Sequence, residues 1–156
     1  MNRPAILAAT HIVALAIGFA AGIYVLPILT SPPAPSSQAV IESSRDAQFS
    51  GEFRRELAGS DALHWGEGKV SVGPKAISLA GRIAPGPDYK LYLVSGFVQT
   101  EEAFARVKAA SVRVGDIRTF DNFIVPVPDG VDITRYDTVL VWCEAFSQFI
   151  TAAKYR

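Results

Sequence analysis

The most regular pattern in the sequence is an apolar stretch near the N-terminus. Residues 5–29 contain no Asp, Glu, Lys or Arg, and Leu, Ile, Val and Phe recur throughout. As a helix, about 25 residues extend roughly 37 Å, which is enough to cross a hydrocarbon core of about 30 Å with some tilt. The pattern therefore predicts one transmembrane helix over residues 5–29.

The alternative to a membrane anchor is a cleaved signal peptide, because Ala20-Ala21-Gly22 has the small residues of a cleavage site. Apolar residues continue to Leu29, beyond the apolar region of about 7–15 residues that is usual in such peptides. We therefore predict an uncleaved signal anchor. Arg3 precedes the span and no basic cluster follows it, so residues 1–4 are expected in the cytoplasm.

Residues 30–47 are predicted to be a Pro/Ser-rich linker on the outer side of the membrane. Their first part, 30–38, reads TSPPAPSSQ, which favours extended polyproline and a short stiff spacer that holds the domain away from the bilayer. A docking sequence for a polyproline-binding domain is the alternative. The short spacer favours a single-pass protein of the cell inner membrane with its C-terminal domain in the periplasm.

Residues 48–156 contain short apolar segments divided by Gly and Pro, and we predict that they form one extracytoplasmic domain. Thr100 is expected to cap one short helix that ends near Lys108. Many short strands are typical of an all-β fold, either a β-sandwich or a small barrel. The predicted strands are at 53–57, 69–72, 76–79, 91–94, 123–127 and 138–146.

Composition argues against several classes of function. Lys+Arg and Asp+Glu are balanced at 15 each, so no net field attracts nucleic acid. The sequence has no C-x-x-C-H, C-x-x-C, P-loop or G-x-S-x-G motif. A blue-copper site needs two His and a Cys, but His64 is the only histidine outside the predicted span. Met1 is the only methionine, so the domain has no methionine to ligate a haem.

A series of short motifs runs through the predicted domain. The series is His64-Trp65-Gly66-Glu67-Gly68-Lys69-Val70, Gly86-Pro87-Asp88, Leu91-Tyr92-Leu93, Gly115 with Ile117, Asn122 with Phe123 and Pro126, Val131-Asp132 with Tyr136, and Val141-Trp142-Cys143-Glu144 with Phe146-Ser147. In this order the motifs resemble the DM-thirteen domain family, often labelled an electron-transfer domain, in a membrane-anchored bacterial type. The resemblance covers roughly residues 49–153.

The resemblance implies a compact β domain, of a type sometimes found beside DOMON-type domains, with a redox role proposed for Cys143. The sequence departs from the family pattern in two places. The loop between Ile117 and Asn122 is short and lacks a usual glycine, and Phe123 stands where Tyr is common.

Cys143 is the only cysteine in the chain, so it cannot form an internal disulfide. The alternatives are an inert buried thiol, an intermolecular disulfide, a metal or haem ligand, or a redox-active thiolate. On the predicted strand Cys143 shares a face with Val139, Val141 and Ala145, while Glu144 lies on the other face. An apolar environment predicts a buried thiol with a raised pKa and low reactivity.

The candidate binding residues are Cys143, His64, Trp142 and Asp88. His64 fits a ligand or a hydrogen-bonded loop residue, Asp88 fits a turn cap, and Trp142 fits core packing or stacking on a cofactor. The sequence identifies no particular cofactor, metal or catalytic residue, and a non-enzymatic role is favoured.

The leading hypothesis is a membrane-anchored extracytoplasmic module with a redox, electron-transfer or ligand-binding role centred on Cys143. The alternative is a module that binds another envelope protein, with Cys143 in a structural role.

Overall fold

The computed structural model describes residues 2–156, and its first element is the apolar helix. Arg3–Thr30 form α1, with Asn2 as N-cap and Ser31 as C-cap. The helix has 28 residues, its most apolar window has a mean hydropathy of 2.5, and none of its residues is fully buried. Its length and composition fit a membrane span, as predicted, and they also fit a signal sequence.

The segment after α1 leads directly onto the domain. Residues 31–36 have no regular secondary structure, and Ser37–Ser43 form the helix α2. The Ser36 hydroxyl caps α2 by accepting a hydrogen bond from the Ala39 N–H at 3.2 Å. Val40 of α2 is buried. The sequence did not predict this helix, because a single buried apolar position in so short a segment gives no helical period.

Within residues 2–156, antiparallel strands form two four-stranded sheets, of order β1-β2-β3-β6 and β5-β4-β7-β8. α2 packs on β3 and β6 of the first sheet. The connections contain α3 (Glu101–Val107) and two 3-10 helices, Lys108–Ala110 and Ile133–Arg135. The strands are β1 (Phe49–Phe53), β2 (Gly66–Val72), β3 (Ala76–Ile83), β4 (Tyr89–Val94), β5 (Val112–Ile117), β6 (Asp121–Pro126), β7 (Thr138–Cys143) and β8 (Gln148–Lys154).

The main core lies between the two sheets. Each fully buried aliphatic side chain stabilises the fold by about 1.5–3 kcal/mol relative to an exposed one. This arrangement is a β-sandwich with an N-terminal helix, which confirms the predicted all-β fold class. The principal core residues are Val70, Val72, Ile77, Leu79 and Phe123 from the first sheet, and Leu91, Leu93, Val139, Val141 and Ile150 from the second.

A second cluster covers the outer face of the second sheet. α3 begins after Thr100, whose hydroxyl accepts a hydrogen bond from the Ala103 N–H at 3.3 Å, so the predicted cap is confirmed. Phe104 of α3 packs on Tyr92 and Trp142, with ring centroids 5.1 and 4.9 Å apart. Alternate residues of β4 and β7 therefore contribute to two different cores.

The strand predictions were confirmed in part. β2, β3, β4, β6 and β7 overlap predicted segments, whereas β5 and β8 were not predicted. The prediction at 53–57 is wrong beyond Phe53, because the pairing with β2 covers Phe49–Phe53 and Leu57 packs in the second cluster instead. The prediction at 138–146 is too long, because β7 ends at Cys143 and Ser147, with φ of 52°, reverses the chain into β8.

We predict that the packing of α2 stabilises the domain. Val40→Ala removes buried methyl groups and should lower the free energy of unfolding by about 2 kcal/mol. The measurement is chemical unfolding of the full chain in detergent, followed by circular dichroism. The matched control is Ile41→Ala, because that side chain is 55% exposed on the same helix and should change stability by less than about 0.5 kcal/mol. Equal losses in the two variants would show that α2 does not pack as described.

Candidate functional site

Cys143 is the last residue of β7 and lies at one end of the sandwich. Its register partners are Tyr89 at the start of β4 and Gln148 at the start of β8. The side chain belongs to the core between the sheets and is 2% exposed. The sequence correctly placed it on the face of Val139 and Val141. The fourth residue expected on that face lies beyond the end of the strand, in an exposed turn.

The environment of Cys143 favours the protonated thiol. Burial raises the pKa of Cys143 above its ordinary value, as the sequence predicted. Hydrogen bonds with the backbone of Phe146, Asp88 and Ala145 lower this pKa but do not cancel the effect of burial. At neutral pH the side chain is therefore a neutral S–H, which is a weak hydrogen-bond donor and not a nucleophilic thiolate.

A cavity of about 160 Å³ lies between α1 and the end of the sandwich that carries Cys143. Its walls are mainly apolar. Apolar cavities of about 150 Å³ hold a benzene-sized molecule, so this cavity suits a single ring. Its lining residues are Ala20, Ile23 and Tyr24 from α1, and Leu63, His64, Pro85, Gly86, Pro87, Tyr89, Cys143, Phe146, Gln148 and Ile150 from the domain.

His64 lines the same cavity and is held in place by Asp61. The Nδ1 atom of His64 lies 2.9 Å from the Asp61 carboxylate, which also accepts the backbone N–H groups of Leu63 at 2.7 Å and His64 at 2.8 Å. The hydrogen bond with His64 lowers the pKa of Asp61, so this carboxylate stays ionised at neutral pH. Because Nδ1 is occupied, Nε2 is the ring nitrogen that remains for a ligand.

Asp88 lies beside the cavity. Its carboxylate, expected to cap a turn, pairs instead with Lys90 Nζ at 2.5 Å. Its carbonyl accepts the Glu144 N–H at 2.9 Å, which ties the turn after Cys143 to the start of β4. The backbone of Asp88 therefore contacts the Cys143 thiol, while its carboxylate pairs with Lys90.

The Gly-Pro-Asp motif makes room for Tyr89. A Cβ atom on Gly86 would overlap the Tyr89 ring, so only glycine permits the loop to cross the ring this closely. Tyr89 also packs edge-on against Phe120, with ring centroids 6.1 Å apart. Burial raises the pKa of Tyr89, which therefore keeps its phenolic proton.

Trp142 lies on the opposite face of β7, in the cluster under α3. Lys108 Nζ is 5.3 Å from the Trp142 ring centroid and pairs with Glu144 at 2.6 Å. The Tyr92 hydroxyl donates a second hydrogen bond to Glu144. Burial raises the pKa of Glu144, but the hydrogen bonds with Lys108 and Tyr92 outweigh it, so the pKa lies below its ordinary value. Trp142 is therefore a core residue here.

The structure brings two of the four predicted site residues together. Cys143 and His64 line one cavity, Asp88 adjoins it through its backbone, and Trp142 lies outside it. Within residues 2–156, no group of three or more His, Cys, Asp or Glu side chains is placed to hold a metal ion.

Sequence reasoning missed part of the cavity wall. Tyr89 directly follows the Gly86-Pro87-Asp88 motif and Phe146 belongs to the last motif of the resemblance, and this placement is a signal that could have identified them. The contribution of Ala20, Ile23 and Tyr24 has no such signal, because an apolar residue that faces lipid and one that faces a cavity look alike in sequence.

We predict that Cys143 reacts slowly with iodoacetamide in the folded full chain at neutral pH. Its raised pKa means that the thiolate forms at a higher pH than in the denatured chain, where the ordinary value is about 8.5. The rate of alkylation, measured by mass spectrometry in detergent, should rise only above that pH. The contribution of the protonated Cys143 thiol to the free energy of unfolding should be fully present below about pH 8.5. It should be lost as the pH rises through the pKa of Cys143 in the folded chain. Equal rates in native and denatured protein at neutral pH would contradict the burial.

The domain that carries this cavity matches the model of one protein family. The model of the electron transfer DM13 family matches residues 52–155, which is two thirds of the chain. The match includes the whole domain side of the cavity. A comparison with curated proteins finds no match, and a comparison with solved structures also finds none. Because the family model covers well over half of the sequence, this chain belongs to the electron transfer DM13 family.

Proposed function

We propose that this chain is a membrane-anchored electron-transfer module whose domain lies outside the cytoplasm, and that the cavity beside Cys143 binds its redox-active ligand. The observation that carries this proposal is that a thiol and an oriented imidazole line one ring-sized apolar cavity. Membership of an electron-transfer family supports a redox ligand. The long apolar α1, with Arg3 at its start, supports the anchor and its orientation.

The geometry favours a bound ligand over direct thiol exchange with another protein. A disulfide on a partner protein cannot reach a sulfur that is 2% exposed without opening the fold, and such exchange requires access. A small ring in the cavity would contact the Cys143 S–H directly. The apolar walls keep water away and strengthen each hydrogen bond that the ligand makes. In this proposal the ligand carries the electrons, and the side chains bind and orient it.

A second candidate function is an interaction module that binds another envelope protein. The observation in its favour is the packing of Cys143 inside the main core with a raised pKa, which is the environment of a structural thiol. In that case the cavity has no ligand, and the exposed loops contact the partner.

We predict that protease added to spheroplasts digests the C-terminal domain while the inner membrane is intact. Arg3 retains the N-terminus in the cytoplasm, so the chain after α1 is delivered to the outside. An antibody against a C-terminal tag follows the digestion, and a soluble cytoplasmic protein serves as the control for intactness. A domain that is cut only after lysis would place it in the cytoplasm.

We predict that the full chain, purified in mild detergent, takes up electrons reversibly in an anaerobic reductive titration followed by absorbance. Cys143→Ser replaces the thiol and His64→Ala removes the imidazole of the cavity, and each variant should lose most of this uptake. The matched control is Phe97→Ala, because Phe97 is exposed and does not line the cavity. Circular dichroism checks that every variant is folded.

Two results of this titration would contradict the redox proposal. One is an absence of reversible uptake in the wild-type chain, which would favour the interaction module. The other is equal uptake in the wild-type chain and in folded Cys143→Ser, which would place the electron acceptor away from this cavity.

A further inference from the structure

One face of α1 lies against the domain near the C-terminal end of the helix. Ile23, Pro27 and Ser31 are partly buried, and their i, i+4 spacing places them on one side of the helix. Ala20 and Tyr24 adjoin this side and line the Cys143 cavity. The domain therefore lies alongside the last part of α1. A free, stiff spacer, as predicted from the sequence, would have kept the domain away from this helix.

The position of these residues along α1 sets the depth of the cavity in a membrane. At about 1.5 Å per residue, the segment from Ala20 to Tyr24 lies roughly 26–32 Å along the helix from Arg3. The hydrocarbon core is about 30 Å thick, and Arg3 stays at its cytoplasmic edge. On an upright helix the cavity is therefore level with the outer boundary between hydrocarbon and headgroups, and tilt of α1 lowers it into the outer leaflet. Tyr24 is also of the residue type that is enriched at this boundary.

The domain exposes large apolar side chains at the same level. Leu63 is 55% exposed and Phe146 is 50% exposed, and both line the cavity from separate loops. In the part of the domain that the structure describes, the other exposed large apolar side chains are Ile41 and Phe97, and neither lines this cavity. Leu63 and Phe146 together form what we call the docking face.

We infer that the docking face rests on the outer surface of the bilayer, and that the cavity takes from the lipid phase an amphiphile with one hydroxylated aromatic ring, of the quinol class. This inference rests on the proposed function, since it names the class of ligand for the same cavity and its route of entry.

Among the polar residues that line the cavity, which also include Tyr24, Tyr89 and Gln148, His64 and Cys143 provide the contacts that we assign to a ring oxygen. The Asp61 carboxylate, 2.9 Å from Nδ1 of His64, accepts the Nδ1–H of that ring, so Nε2 is an acceptor in the neutral tautomer. A ring hydroxyl can donate to this nitrogen. The Cys143 S–H is a weak donor that can contact a ring oxygen. The volume of about 160 Å³ admits one ring, so an apolar tail on that ring must remain outside the cavity.

The surroundings of the cavity favour the lipid phase as the source of the ligand. α1 forms one wall through Ala20 and Tyr24, and the docking face forms an apolar rim. A tail that extends from the cavity beside α1 stays in hydrocarbon, which avoids the cost of exposing its methylene groups to water. A polar ligand arriving from water would meet apolar side chains first.

The depth of the docking face can be measured with nitroxide labels on the full chain in lipid nanodiscs. Leu63→Cys and Phe146→Cys, each in a Cys143→Ser background, carry the label, and collisions with oxygen are compared with collisions with a water-soluble nickel chelate. We expect the ratio of oxygen to nickel collisions to be severalfold higher at these two sites than at Ile41→Cys and Phe97→Cys, the exposed controls. Equal ratios at all four sites would overturn the docking.

The ligand class and its route are tested with 2-decylhydroquinone under anaerobic conditions. These conditions keep the ring reduced, so the thiol cannot add to it. Bound probe should slow the alkylation of Cys143 by iodoacetamide severalfold in nanodiscs. The same ring without its tail, at equal total concentration, should protect much less. Equal protection by both rings would overturn entry from the lipid, and no protection by either would overturn the ligand class.

A matched pair of helix variants locates the effect. Ala20→Phe places a large side chain in the cavity without changing the domain and should abolish the protection by the probe. Ala21→Phe adds the same group on a residue that does not line the cavity and should keep it. Protection that survives Ala20→Phe would show that the probe binds elsewhere.

The experiments distinguish a failure of this inference from a failure of the proposed electron transfer. Probe protection without reversible electron uptake would contradict the redox function and support the route from lipid. Reversible uptake with docking-face labels exposed to water would contradict only the docking.

Discussion

The pairing of Cys143 with Tyr89 is the contact on which the site depends. β7 ends and β4 begins at this pair, so the thiol and the phenol lie together at one end of the sandwich. Because successive strand residues point to opposite faces, Trp142 must then pack under α3. The register that positions the thiol therefore also separates it from the tryptophan beside it in sequence. The Trp-Cys motif serves two cores and does not form one composite site.

Two local interactions hold the loops that complete the cavity. Asp61 fixes the loop that carries Leu63 and His64 by accepting their backbone N–H groups. Gly86 lets the neighbouring loop cross the Tyr89 ring without a clash. Neither arrangement requires a ligand in order to form. A site whose walls are set by the fold pays little ordering entropy on binding, so its selectivity comes from shape and from its few polar groups.

The sequence predicted the features that depend on local pattern. The long apolar helix, the sandwich, the cap at Thr100 and the burial of Cys143 each follow from residue periodicity or type. It could not predict features that depend on contacts between distant segments. In the edge strand β5 the alternation is limited to Val112-Arg113-Val114 before a register shift, and the final strand β8 is buried on both faces, so neither has a sustained period of two. The contact of α1 with the domain involves residues that were already assigned to lipid, so their apolar character carried no further information.

The short connection after α1 makes the apolar helix part of the cavity wall. Asn122, in the left-handed conformation with φ of 51°, accepts the Gly81 N–H at 3.1 Å and donates to the Pro35 carbonyl at 3.2 Å. Asn122 and Val40 together hold the start of α2 on the domain. Only residues 31–36 therefore connect α1 to this fixed point. Asn122, one of the residues that carry the resemblance, therefore positions the linker from its place in β6. A longer or undocked linker would leave the cavity without the wall that α1 forms.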